Sequence, residues 1–158
     1  MRYFIYIFLI FSNLLSIDFC NSPIDISKVD ISKNRYFLNN YYEKVFIDTK
    51  QYRSYLLIEP KSKIGYFDFN GADYHLKNIK IYRPSLHTID NQNSKLEIIF
   101  EHTNNLYISV LVKIGRFNQD FDELLNIYDK KISKKLAIYY LIDSTKDFFL
   151  YDGSTNSN

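Results

Sequence analysis

The sequence predicts a mainly β domain with one short amphipathic helix, and three observations carry that expectation. Strand-favouring Ile, Tyr and Phe are abundant, whereas the chain has only 4 Gly and 3 Pro. Short apolar or alternating runs recur, separated by Asn, Asp, Gly and Pro. A 3.6-residue apolar period occurs clearly at one place.

Taken in order, strands are expected at Lys44 to Ile47, Tyr55 to Ile58, Ile64 to Phe69, Leu76 to Arg83, Lys95 to His102 and Leu106 to Gly115, with a later one at Leu136 to Ile142. Pro60, Asn70-Gly71, Asp90 to Asn93 and Asn104-Asn105 supply the turns between them. The helix is expected where Phe121, Leu124, Leu125 and Tyr128 fall at i, i+3, i+4 and i+7, with Asp120 and Glu123 spaced as a capping box. Gly153 to Asn158 has loop composition.

A chain of 158 residues is long enough for one domain with a sizeable core. Its 46% hydrophobic and 18% aromatic content is too apolar for a disordered chain. Twenty basic and 18 acidic residues are interspersed, and the net charge of +2 gives no clustered basic face for nucleic acid. Arg2 followed by the apolar run Tyr3 to Phe11 and then Ser12 to Leu15 reads as a secretory leader over residues 1–20, short of a bilayer span. That places the protein outside the cell or at its surface. An uncleaved signal anchor is the alternative, because Asp18-Phe19-Cys20 forms no clean small-x-small cleavage pattern. Cys20 is the only cysteine, so the chain forms no internal disulfide. Residues 21–158 then make a single domain.

Pro84-Ser-Leu-His-Thr-Ile-Asp90 is similar to a motif of the α-carbonic anhydrases, Pro-Ser-Glu-His-Thr-Ile-Asp. Four further stretches resemble that family in its own order: Asn21-Ser-Pro-Ile-Asp-Ile26, Leu96-Glu97 with His102 and Asn104, Tyr107 to Gly115, and Asp147 to Ser154. The resemblance implies a large twisted, mostly antiparallel sheet. It also implies an incomplete one, without the family's tryptophan-containing N-terminal segment and the strands beyond its Gly-Ser.

Catalytic zinc takes three protein ligands and an open position, and neutral imidazole suits it. Two of the family's histidines come from alternate positions of one strand and the third from the next strand. The resemblance places these at Lys80, Tyr82 and Ile99. An ammonium, a phenol and an aliphatic branch make a poor ligand set. The family's acidic gatekeeper is replaced by Leu86, and its hydroxide-orienting threonine falls at Asn156. His87, Glu97, His102 and Tyr151 match scaffold positions around the site. In the family the Glu97 carboxylate orients the third histidine. With Ile99 in place of that histidine, two outcomes are open: Lys80 pairs with Glu97, or Lys80 extends to solvent from an open cleft. A rebuilt metal site would need His75, His87 and His102 to converge from separate segments. His75 reads more simply as a surface residue, and the other two as hydrogen-bonded core histidines.

These replacements imply a secreted, catalytically silent relative that acts as a binding or structural module with no cofactor. Its expected partner is a protein or a carbohydrate, and open sheet edges offer a route to a homo-oligomer. The alternative is a zinc-dependent carbonic anhydrase that hydrates CO2 with a degenerate site.

Overall fold

The protein is described by a computed structural model, which covers residues 5–11, 25–26, 38–62, 65–113, 119–130, 135–137, 141–142 and 148–152. The expected cleavage region, Asn156 and the rest of the 153–158 tail lie outside the described residues. Twelve strands, one α-helix and a short 3-10 helix (Thr103–Asn105) are seen among the described residues. They are β1 (Ile5–Phe11), β2 (Leu38–Asn40), β3 (Lys44–Gln51), β4 (Tyr55–Pro60), β5 (Tyr66–Phe69), β6 (Ala72–Tyr82), β7 (Thr88–Ile89), β8 (Gln92–Asn93), β9 (Leu96–His102), β10 (Leu106–Val112), α1 (Gln119–Lys130), β11 (Lys135–Ala137) and β12 (Phe148–Asp152).

The main sheet runs β11-β3-β4-β6-β9-β10-β1-β12, with β5 also paired to β6 and β2 to β5. All its pairings are antiparallel except β1 with β12. The mainly antiparallel sheet with one helix is the expected fold class. Every strand expected between residues 44 and 112 is present. Of the run Leu136 to Ile142, the described part is strand at Lys135–Ala137 and not at Leu141 and Ile142, and residues 138–140 lie outside the described residues.

Turn chemistry explains the hairpins. Asn70 and Gly71 between β5 and β6 both take positive φ, 52° and 81°. Asp90 and Asn91 between β7 and β8 do the same at 52° and 58°. Two consecutive left-handed residues make the turn that matches strand twist, and Asn, Asp and Gly tolerate it best. Gly65 is required at the start of β5. Its φ is +90°, and a Cβ there would collide with the Tyr41 carbonyl oxygen.

Leu56, Ile58, Ile79, Ile81, Ile98, Phe100, Ile108 and Val110 are all fully buried and share one side of the sheet. Phe121, Leu124 and Ile127 of α1 join the same cluster. The helix therefore covers this side, but its buried stripe differs from the expected one. Ile127 is buried, whereas Leu125 stays 37% exposed. The i, i+3, i+6 positions turn toward the sheet, so the choice of Leu125 for the apolar stripe is corrected. The helix begins at Gln119, which puts Asp120 inside the first turn rather than at the cap.

Register shifts between Leu76 and Asn78 on β6 against β9, which is a bulge at Lys77. Because strand faces alternate with period two, one extra residue exchanges inside and outside. Before the bulge Tyr74 and Leu76 face the core, and after it Ile79 and Ile81 do. Lys80 and Tyr82 are thereby turned to the opposite side of the sheet, which is where the candidate site lies.

Candidate functional site

On that second side, directly paired residues bring four strands together. Lys80 lies opposite Ile99 and Tyr82 opposite Glu97, while Ser109 of β10 faces Ile99 and Tyr107 faces Glu101. From β4, Leu57 pairs with Lys80 and Tyr55 with Tyr82. The three positions the family resemblance assigns to metal ligands are therefore immediate neighbours, as a three-ligand site requires.

The side chains at those positions form a different structure. Lys80 Nζ donates to Glu101 Oε1 at 2.5 Å, with both side chains mostly shielded at 20% and 15% exposure. The same ammonium lies 5.4 Å from the centre of the Tyr55 ring, which in turn meets Tyr82 at 5.3 Å. Ile99 is completely buried and Tyr82 nearly so. Burial raises the Tyr82 phenol far above its ordinary pKa, with Tyr55, Glu101 and Glu97 adding to the effect, so it stays protonated. Tyr107 is raised as well, first by burial and then by Glu101, with Lys80 opposing.

Glu97 is fully buried and is held by four donors. The backbone N–H groups of Leu86 and His87 donate to Oε2 at 2.7 and 3.0 Å. Ser109 Oγ donates to Oε1 at 2.5 Å, and His87 Nδ1–H donates to the same oxygen. Burial by itself would raise the Glu97 pKa, but the bonds and charge of His87 and the Ser109 bond outweigh it and hold the carboxyl below its ordinary range. A carboxylate has about four acceptor positions, and here they are all used.

The expected Lys80–Glu97 ion pair is accordingly corrected: Lys80 pairs with Glu101. Glu97 has no capacity left, whereas Glu101 sits diagonally across the ladder with an oxygen available. The expectation that Glu97 lacks a partner once Ile99 replaces histidine is corrected too, because His87 and Ser109 supply it. Lys80 is turned inward rather than extended into an open cleft.

The loop from β6 to β9 is stapled in place. Ser85 N–H donates to the Ser94 carbonyl at 3.1 Å, Ser94 N–H returns to Ser85 Oγ at 2.8 Å, and Ser85 Oγ donates to the His87 carbonyl at 2.6 Å. Asp25 forms a bridge with Thr88 and accepts from Asn91 N–H at 2.9 Å. Asp25, from the first stretch matched to the family, thus meets Thr88, from the stretch 84–90.

His102 belongs to the other side of the sheet. Its Nε2 is hydrogen-bonded to Tyr42 Oη, and its ring packs near Phe67 and against Tyr42. Burial pushes its pKa down to about 3, although backbone groups of Leu106 and Phe100 pull weakly the other way. Its Nδ1 makes no hydrogen bond of ordinary geometry. His75 is exposed on β6, edge-on to Tyr66. His75, His87 and His102 do not converge, and among the described residues no three His, Cys, Asp or Glu side chains are placed to hold a metal. Tyr151 lies in β12, paired with Ile10, and its side chain is outside the described residues.

Glu101, Ser109, Tyr55 and Tyr42 were not singled out from the sequence. Glu101 had a signal, since it shares the alternation of Glu97 and Ile99. Ser109 and Tyr42 had none, because each reaches its partner only through the tertiary fold.

No protein-family sequence model and no curated protein sequence matches the chain. Solved structures do. An α-carbonic anhydrase from Photobacterium profundum superposes with a TM-score of 0.59 at 15% identity, covering 85% of this chain and 75% of that one. Dioscorin, in a complex with ascorbate, gives 0.52 at 20% identity over 74% of this chain and 53% of its own length. A fungal α-carbonic anhydrase from Aspergillus oryzae gives 0.53 at 16% identity, covering 74% and 54%. At these identities the likeness shows the fold, and the chain has the α-carbonic anhydrase fold. It spans about half the length of dioscorin and of the fungal enzyme.

Proposed function

We propose that this chain is a catalytically silent member of the α-carbonic anhydrase fold that acts as a binding or structural module. The single observation that carries the reading is the Lys80–Glu101 ion pair, which engages one of the three positions that the family resemblance assigns to metal ligands. The residues present do not fit zinc. Lys80 is engaged in an ion pair, Tyr82 is held as a neutral phenol by burial, and Ile99 offers no donor atom. Carrying the activity of the solved carbonic anhydrases across to this chain would require a metal that these side chains cannot bind.

What the site retains is its scaffold. The His87–Glu97–Ser109 network and the Ser85–Ser94 staple hold the loop rigidly. Rigid loops on a sheet are suited to recognition, and Tyr41 and Tyr52 present half-exposed rings beside Tyr66 and Tyr55. Aromatic faces of this kind serve the protein or carbohydrate partner expected from the sequence. The test is zinc content after metal loading, together with CO2 hydration. The expected outcome is substoichiometric zinc and hydration no faster than in buffer. Stoichiometric zinc with turnover overturns the reading.

A further inference from the structure

The residues expected to form the apolar part of a leader are paired inside the sheet. Ile5–Phe11 lies antiparallel to β10 in seven consecutive register positions, from Ile5 opposite Val112 to Phe11 opposite Leu106. Its other edge runs parallel to β12 from Ile7 opposite Phe148 to Phe11 opposite Asp152. In the strand order β12 has β1 as its neighbour, so β1 joins it to the sheet.

A removed leader and a retained strand are incompatible uses of one segment. Three observations favour the strand. First, β10 is Leu-Tyr-Ile-Ser-Val-Leu-Val, without a charge, a proline or a bulge. Natural edge strands are guarded by such features, and an unguarded apolar edge of seven residues invites association. The β10 composition is that of an interior strand. Second, Ile7 and Leu9 stand opposite Val110 and Ile108, two completely buried core residues, without a register slip. Third, the Asp18-Phe19-Cys20 region lacks a small-x-small cleavage pattern.

We infer that the gap between β10 and β12 is a strand-acceptor site whose occupant is this chain's own Ile5–Phe11, kept as a permanent strand of the folded domain. This holds whether or not the metal position is silent, so failure of one leaves the other standing.

Measurements on the full chain test it. Residue-resolved amide hydrogen exchange should protect Ile5–Phe11 to within about tenfold of β9. In a Cys20→Ser background, Leu9→Cys with Ile108→Cys should form a disulfide, since directly paired positions have suitable Cα spacing. Leu9→Cys with Tyr107→Cys, which stand on opposite faces, should not. The intact mass of the chain recovered from secreting cells should include residues 1–20. Exchange at the rate of an unfolded peptide, a mature mass that begins after Cys20, or a dimer of the full chain joined through β10 each overturns the inference.

Discussion

Lys80 and Glu101 form an ion pair diagonally across the β6–β9 ladder, with Nζ 2.5 Å from Oε1, while Glu97, also two positions from Ile99, is taken by His87. The two carboxylates differ in free acceptor capacity, and that difference selects the partner. A double-mutant cycle of Lys80→Met with Glu101→Gln should give a coupling of about 1 kcal/mol, as expected for a partly shielded charged pair. The cycle of Lys80→Met with Glu97→Gln should stay within about 0.5 kcal/mol. Urea unfolding of the four chains in each cycle gives both values, and the reverse ranking would remove the assignment.

Glu97 is the post on which the loop hangs. Glu97→Ala leaves the Leu86 and His87 N–H groups, the His87 ring and the Ser109 hydroxyl without their acceptor, and should cost about 3–5 kcal/mol. Ser109→Ala removes one of the four donors and should cost about 1–2 kcal/mol. Denaturant midpoints at neutral pH check both. A loss below about 1 kcal/mol for Glu97→Ala would mean that the network is not formed.

Acid should destabilise the fold through two groups of the same sign. His102 titrates at about 3 in the folded chain against an ordinary 6.5, so the unfolded chain binds more protons between those values. Stability is complete above pH 6.5 and falls by about 1.4 kcal/mol per pH unit below it. Glu97, with its pKa lowered by His87 and Ser109 despite burial, adds stability that is present above the ordinary carboxylate range and is lost as pH falls through its depressed value. His102→Gln should flatten the slope between pH 6 and 5, where Glu97 does not titrate. Thermal midpoints across that window give the comparison.

The register also predicts what would restore metal binding. Positions 80 and 82 alternate on one strand, and 99 lies directly across from 80. A chain carrying K80H, Y82H and I99H together should bind about one zinc, because three imidazoles would then converge from two adjacent strands. The single K80H chain should not. Metal analysis after dialysis distinguishes the two, and absence of zinc from the triple variant would show that the backbone geometry has drifted.

Gly65 is a simpler check on the frame. Gly65→Ala combines a φ of +90° with a collision against the Tyr41 carbonyl. It should cost more than about 2 kcal/mol, measured by thermal or urea unfolding.

Alternation and turn residues were enough to expect strands from residue 44 to 112, because side-chain period and left-handed turn positions are local properties. The ordered motifs were likewise enough to place Lys80, Tyr82 and Ile99 together, since they carry the alignment. The sequence could not reveal the bulge at Lys77, which decides that Lys80 shares a face with Glu101, nor the Ser109 and His87 bonds that satisfy Glu97. Composition does not choose between a leader and a strand at Ile5–Phe11, because an apolar run has the same composition as a leader core and as an interior strand. Register and partner choice are set by long-range pairing of backbone groups and by which buried acceptors remain unfilled, and the tertiary structure alone determines both.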